Sequence, residues 1–270
     1  MDAAPVSAAP SVRSPAVDAQ ASAALPAPRP AFLRAPETLH PALWLGHQLG
    51  RADAHAQATG FAALDAELPG GGWPRGVLSE LLLPHSGVGE MRLLAPALVA
   101  TQRAGRPVMV FDPPAALSAA ALAGLGFAVE ELLVVQTRAR VVPASDSLWA
   151  LEQALKSGHV GAVVAWLPPR LRAERLRRLQ LAAHRHDGAA FVVRQAAAAS
   201  RPTASPLRLS LQAGGADRLQ VRILKRRGPP LEAPLVLELP PVLSRAARRR
   251  SMNERAAQRE LHAATFVDFA

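Results

Sequence analysis

Short runs of apolar residues recur along the middle of the chain and predict a set of β-strands. Each run is rich in leucine, valine or other strand-favouring residues and is bounded by glycine, proline or polar residues. The predicted strands cover residues 77–83, 107–112, 132–136, 160–167, 189–195, 207–213 and 219–228. Only the polar stretch Gly-Gly-Ala-Asp separates the last two strands, so we expect them to form an antiparallel hairpin at one edge of a sheet.

Segments with apolar residues at helical spacing lie between the first five strands. The predicted helices fall within residues 90–105, 116–127, 146–158 and 170–186. Strands that alternate with helices are typical of βαβ crossovers, in which parallel strands are buried on both faces. The pattern therefore predicts an α/β fold with a mainly parallel sheet flanked by helices.

The two ends of the chain differ in composition from this core. Residues 1–38 are mostly alanine, proline, serine and valine, which predicts a disordered tail. Residues 39–58 carry a proline at an early helical position and predict a short N-terminal helical segment, which precedes a core at 59–240. Residues 241–270 are charged and helix-prone, and we interpret them as a basic C-terminal tail.

Charge and cysteine content narrow the functional classes. The formal net charge of +10 over 270 residues indicates an anionic partner, which the charge alone leaves open among nucleic acid, acidic protein and anionic lipid. The absence of cysteine from the sequence excludes disulfides and cysteine-based metal sites. No apolar stretch has the length of a membrane helix, and Asp2 and scattered prolines replace a signal-peptide core, so we expect a cytoplasmic protein that does not bind membranes.

One segment of the core carries a specific motif order. Residues 59–91 read TGFAALDAELPGGGWPRGVLSELLLPHSGVGEM, with Thr59-Gly60, Leu64-Asp65, the turn at 70–72, and Glu80 at characteristic spacing. This order resembles the entry segment of RecA-type recombinase cores, and the resemblance continues to about residue 228. It implies a RecA-like P-loop NTPase core.

The tryptophan-bearing GGGWPRG followed by ELLLP narrows the resemblance to the ImuA family, the RecA-like members of bacterial damage-inducible mutagenesis cassettes. Members accompany an inactive Y-family-like polymerase and an error-prone replicative-type polymerase in translesion synthesis. Some relatives carry the name of the SulA cell-division inhibitor. The resemblance implies these polymerases as partners, with RecA itself as a further candidate.

The predicted phosphate loop lacks the residues that bind phosphate and magnesium. A working loop is a glycine, four residues, then Gly-Lys-Ser/Thr, whose amides, lysine and hydroxyl hold phosphate and magnesium. Here Pro84 replaces the first glycine, Gly89 is kept, Glu90 replaces the lysine and Met91 replaces the hydroxyl. A carboxylate about 4 Å from a phosphate costs about 1 kcal/mol in water and about 4 kcal/mol at an effective dielectric near 20. Two interpretations stay open, a small anion on the Gly87 and Gly89 amides or a turn that has kept only its shape.

The acids that the resemblance implies on neighbouring strands are also replaced. Trp166 stands where the family has its magnesium-orienting aspartate, and Pro114 stands at the position of the water-activating carboxylate, although Asp112 is nearby. Gln195 matches the family's nucleotide-sensing glutamine or is a turn residue. We therefore predict a chain that does not hydrolyse ATP, with no enzymatic activity, cofactor or metal.

Arginines gather in the helix predicted at 170–186. Arg170, Arg177, Arg178 and Arg185 fall away from the apolar stripe of Leu176, Leu179 and Ala183, whereas Arg172 and Arg175 lie nearer to it. This face is either solvated or contacts nucleic acid or an acidic partner.

His184 and His186 stand close to Asp187 near the end of this helix. Residues two apart do not face each other on a helix, so we expect interaction with the helix dipole or plain exposure and not a metal pair.

The C-terminal tail offers two further contact groups. One is the basic cluster Arg245, Arg248, Arg249 and Arg250, which either contacts DNA phosphates nonspecifically or solubilises a helix. The other is the apolar pair Phe266 and Phe269, which either fills a groove on a partner or folds back on the core.

Four functions follow from these residues and the resemblance. The first is a noncatalytic RecA-like accessory protein of damage-induced (SOS) translesion DNA synthesis, acting as an interaction scaffold for an error-prone polymerase complex. The alternatives are a SulA-type inhibitor of cell division, a DNA-dependent ATPase with a divergent P-loop, and simple DNA binding through the arginines.

Overall fold

A computed structural model describes residues 56–137 and 144–242 of the chain. The segments predicted at 1–38 and 241–270, except residues 241 and 242, lie outside this range, as does most of 39–58. In these two described ranges, eight strands form one sheet. They are β1 (Leu78–Leu83), β2 (Val108–Phe111), β3 (Leu132–Val135), β4 (Ala162–Trp166), β5 (Ala189–Gln195), β6 (Leu207–Ala213), β7 (Arg218–Lys225) and β8 (Leu235–Glu238).

Five helices accompany the sheet in the described part of the chain. They are α1 (Ala62–Asp65), α2 (Glu90–Arg103), α3 (Ala119–Gly124), α4 (Ala144–Lys156) and α5 (Ala173–Ala183), with 3₁₀ turns at Val129–Glu131 and Ala196–Ser200. None of the helices in this part is both long and apolar enough to cross a membrane.

The strand order across the sheet is β3-β2-β4-β5-β1-β6-β7-β8. The first six strands are parallel, and β7 and β8 are each antiparallel to the strand before them. The predicted α/β fold, the mainly parallel sheet and the hairpin of β6 and β7 are confirmed. The eighth strand was not predicted, because its short run lies between Pro234 and Pro240 and two of its four residues are exposed.

Two apolar cores cover the two faces of the sheet. One contains α2, the segment around Trp73 and alternate residues of the central strands, and the other contains α4 and α5. Trp73 is fully buried and meets the edge of Phe191 with ring centroids 5.0 Å apart. The last glycine of the GGGW motif, Gly72, has no room for a side chain, since a Cβ there would lie 2.2 Å from the carbonyl oxygen of Gln57. The motif therefore serves packing.

The Thr-Gly and Leu-Asp pairs of the same segment form one local unit. Asp65 Oδ1 accepts a hydrogen bond from the Thr59 amide at 2.8 Å, and Leu64 is fully buried. Gly60 has a φ of 86°, and a Cβ there would lie 2.4 Å from Pro96. These residues dock the start of the core onto α2.

A buried ion pair network crosses the centre of the sheet. Glu80 on β1 is fully buried, and its carboxylate accepts from Arg194 Nη1 on β5 at 2.7 Å and from Arg208 Nε on β6 at 2.8 Å. Burial alone would raise the pKa of Glu80, but hydrogen bonds from Arg208, Thr203 and Arg194 outweigh it and lower that pKa. The network joins three adjacent strands and keeps Glu80 ionised.

Candidate functional site: a phosphate loop closed by its own glutamate

The loop at residues 84–89 joins β1 to α2 at the carboxyl edge of the sheet. β1 lies between β5 and β6, so the loop stands near the centre of that edge, where open α/β sheets bind ligands. Gly87 and Gly89 have φ angles of 86° and 122°, which side chains other than glycine rarely adopt. These two glycines give the loop the shape of an anion-binding turn.

The carboxylate of Glu90 occupies the inside of this turn. Glu90 Oε1 and Oε2 accept from the Gly87 amide at 2.9 and 3.1 Å, and Oε2 accepts from the Gly89 amide at 3.2 Å. The residue is 4% exposed. The amides that the sequence offered to an external anion are therefore already bonded to a carboxylate of the same chain, which favours the interpretation of a turn that has kept only its shape.

Sequence reasoning treated Glu90 only as a lost lysine and missed this inward role. The signal was present, because an acid directly after a Gly-x-Gly turn stands at the first residue of a helix, where backbone donors lack partners. The charge that repels a phosphate is also an internal ligand of the loop. A nucleotide would have to displace that ligand before it could bind.

The chain after β8 covers the same helix start. A Cβ on Gly89 would lie 2.6 Å from Leu239 Cδ1, and Leu239 is buried. Arg92 donates through Nε to the Pro240 carbonyl at 2.9 Å and also bonds Asp217. Glu90 thus bonds the loop amides, Leu239 packs beside Gly89, and Arg92 anchors Pro240 to the first turn of α2.

A cleft of about 390 Å³ lies beside the loop at the ends of β4 and β5. Its lining includes Pro84, Pro114, Trp166 and Gln195, so these sequence-predicted positions come together, whereas the predicted positions 87–91 do not line the cleft. Trp166 and Pro114 present apolar surface where the resemblance implies two acids. In the described part of the chain, no cluster of three or more histidines, aspartates or glutamates is arranged to hold a metal ion.

Asp112, the acid nearest to the predicted base position, has a structural role. It accepts from the Thr137 amide at 2.7 Å and from the Ser147 hydroxyl at 2.8 Å, so it ties the end of β2 to the segment after β3 and to α4. Glu90, Met91, Pro114 and Trp166 together do not fit a magnesium-bound nucleotide.

The arginines of α5 and the segment before it lie on the surface. Arg170, Arg177, Arg178 and Arg185 are exposed, as predicted. Arg172 and Arg175, placed nearer the apolar stripe in the sequence projection, are exposed as well; Arg172 is the N-cap residue before α5, and Arg175 lies in the first turn of that helix. All these arginines share the solvent side of one segment.

The two histidines separate in the structure. His184 is exposed at the end of α5, but His186 is 1% exposed, so the expectation of an exposed or dipole-bound residue is wrong for His186. Burial lowers the pKa of His186, and the nearby Asp187 opposes this only in part. His186 is a neutral core residue. The tail contacts predicted at Arg245, Arg248, Arg249, Arg250, Phe266 and Phe269 lie outside the described residues.

Known proteins resemble this core in sequence. A model of the family described as "Cell division inhibitor SulA" matches residues 76–190, which span β1 to the start of β5. The RecA protein of Rhodospirillum centenum is 33% identical over 134 residues, which is 48% of this chain and 36% of the relative. The RecA proteins of Symbiobacterium thermophilum and Deinococcus radiodurans are 31% and 32% identical over 44% and 46% of this chain, and 33% and 34% of their own lengths.

The chain is similar to both RecA and SulA. It spans about a third of the length of the curated RecA relatives that it matches. The similarity agrees with the mainly parallel sheet and the motif order of residues 59–91.

Proposed function

We propose that the chain is a noncatalytic RecA-like accessory protein of the SOS response, which acts as an interaction scaffold for an error-prone polymerase complex in translesion synthesis. The similarity to RecA supports a link to DNA damage. The observation that carries the noncatalytic part is the Glu90 carboxylate bonded to the Gly87 and Gly89 amides. A RecA-like fold whose phosphate loop is filled by its own side chain can present surfaces without a nucleotide cycle.

The noncatalytic role is tested by nucleotide binding and turnover. We expect calorimetric titration of the full chain with magnesium-ATP to give no saturable heat, and we expect no phosphate release with or without single-stranded DNA. Turnover that depends on the loop at 84–91 would instead support the alternative, a DNA-dependent ATPase with a divergent P-loop.

The proposed partners are an inactive Y-family-like polymerase, an error-prone replicative-type polymerase and RecA. We expect the polymerases to co-purify with the chain from damaged cells, and we expect loss of residues 241–270 to weaken this association because the tail carries the arginine cluster and the two phenylalanines. Unchanged association would remove the tail from the interface.

A second candidate function is inhibition of cell division. The match of the SulA family model to residues 76–190 favours it as directly as the RecA relatives favour the first. Deletion and overproduction separate the two candidates. A scaffold predicts that deletion lowers damage-induced mutation frequency, whereas an inhibitor predicts filamentous cells on overproduction with mutation frequency unchanged.

A further inference from the structure

An exposed tryptophan marks a groove away from the phosphate loop. Trp149 on α4 is 59% exposed, although its helix buries Leu148, Leu151 and Leu155. Tryptophan is highly buried on average, so an indole in water is an informative exception. Among the described residues, it is the one aromatic among the large apolar side chains that stand exposed.

The groove runs between α4 and α5 and has an apolar floor with a charged rim. Its volume is about 220 Å³, and Leu148, Trp149 and Leu179 supply the apolar surface. Arg175 and Arg178 of α5 form one side of the rim. Tryptophan and arginine are the residues most enriched at the energetic centres of protein interfaces.

The acid on the opposite wall is neutralised by its neighbours. Glu152 pairs with Lys156 at 2.5 Å and with Arg178 at 2.8 Å, and these contacts, led by Lys156, hold the pKa of Glu152 below its usual range. Arg175 makes no ion pair with any described residue within 4.0 Å. The positive charge of Arg175 therefore faces solvent beside the indole ring.

The basic surface continues beyond the groove. Arg170, Arg172, Arg177 and Arg185 are exposed on the same segment, where Glu174 and Asp187 are the only acids, and Asp187 is paired with Arg106 at 2.6 Å. An approaching partner thus meets a positive field around an apolar anchor point. Such a field accelerates association with acidic surfaces.

We propose that the groove between α4 and α5 binds an acidic protein segment, whose large apolar side chain packs on Trp149 and whose carboxylate pairs with Arg175. The lining favours a peptide over single-stranded nucleic acid. Strand-binding proteins stack successive bases on several rings, but among the described residues this groove offers the single ring of Trp149. The inference rests on the proposed function only in requiring that the chain acts by binding another protein.

The test uses the purified full chain and a random peptide library displayed on phage. We expect the enriched peptides to share an aromatic or aliphatic residue flanked by aspartate or glutamate. Synthetic copies should bind the wild type, and Trp149→Ala or Arg175→Glu should weaken binding by roughly tenfold or more.

Arg177→Glu is the matched control, because it makes the same charge change on an exposed residue of α5 that does not line the groove. It should change peptide affinity by less than about threefold. Unfolding midpoints of all variants verify that the fold is intact, as expected for exposed positions.

Three results would overturn the inference. The first is that no family of acidic peptides is enriched. The second is that peptides are enriched but their affinity does not change in the Trp149 and Arg175 variants. The third is that poly(dT) binds more tightly than any selected peptide and that its binding depends on Trp149 and Arg175. The second result would leave the scaffold function possible through another surface. The scaffold function itself is tested separately, by whether deletion of the protein lowers the damage-induced mutation frequency.

Discussion

The side chain of Glu90 occupies the amides of the loop at residues 84–89. Glu90→Ala frees the Gly87 and Gly89 amides and removes a charge that costs a bound anion about 1–4 kcal/mol at 4 Å. We expect the variant to bind inorganic pyrophosphate at least about tenfold more tightly than the wild type in calorimetric titration. Glu90→Gln, which keeps an oxygen acceptor, should gain less. Equal affinity in wild type and Glu90→Ala would show that the carboxylate does not close the loop.

Glu80 holds a different part of the sheet together. Glu80→Ala leaves Arg194 and Arg208 buried without their counter-ion, and loss of one partner from a buried pair costs about 3–5 kcal/mol. Urea unfolding should report this loss. Glu238→Ala is the control, since its pair with Arg218 spans 3.6 Å between exposed side chains, and the loss there should be below about 1 kcal/mol. Similar losses in the two variants would contradict a special role for the network.

His186 should make stability depend on pH. Its folded pKa is lowered by burial, so the unfolded chain binds a proton first as pH falls, and stability decreases below the ordinary histidine range near 6.5. His186→Gln should reduce the pH dependence of the free energy of unfolding between about pH 5 and 7, where the carboxylates of lowered pKa stay ionised. A slope that survives in His186→Gln would assign it to another group.

At the scale of elements, the contact between the loop and the chain after β8 can be measured as a coupling. Gly89→Ala brings both a strained φ and a clash with Leu239, and we expect a loss of about 2–5 kcal/mol. Gly71→Ala also has a positive φ but meets no atom within 4 Å, so it measures strain alone, roughly 1–2 kcal/mol. Because the added Cβ would lie 2.6 Å from Leu239 Cδ1, Leu239→Ala should relieve part of the Gly89→Ala loss in the double variant. Additive losses would exclude direct contact.

The burial of each strand explains which strands the sequence could predict. Strands β1, β4 and β5 are buried on both faces, so their mostly apolar sequences were a clear signal, even though β1 contains Glu80 and β5 contains Arg194. The strand β8 gave no such signal, because its register against β7 exposes Val236 and because prolines flank it. β8 leads into Leu239, whose carbonyl accepts a hydrogen bond from Arg92 of α2, a contact between residues 147 apart that no local pattern encodes.

The site was predictable in part for a related reason. Motif spacing located Pro84, Gly89, Glu90, Pro114 and Trp166, and the structure brings all of them to one edge of the sheet. The P-loop register alone did not predict the direction of the Glu90 side chain; the signal lay in the Gly-x-Gly turn before it, whose two glycines with positive φ present their amides to an acid at the helix start. The burial of His186 depends on tertiary packing at the end of α5.

At the scale of the whole molecule, the losses around the loop lie on separate elements, so nucleotide binding and hydrolysis should be separable. The variant Glu90→Lys with Met91→Thr restores the cation and the hydroxyl and removes the internal carboxylate. We expect it to bind magnesium-ATP measurably, by calorimetry, where the wild type does not.

The same variant should still release no phosphate above the wild-type background. Trp166 ends β4 and Pro114 follows β2, so a repaired loop lacks both an acid to orient magnesium and a base to accept the proton of water. A matched variant with Met91→Thr alone keeps Glu90 on the amides and should bind no nucleotide. Turnover by the double variant would mean that other groups near the cleft replace these acids, and it would return the chain to the class of ATPases.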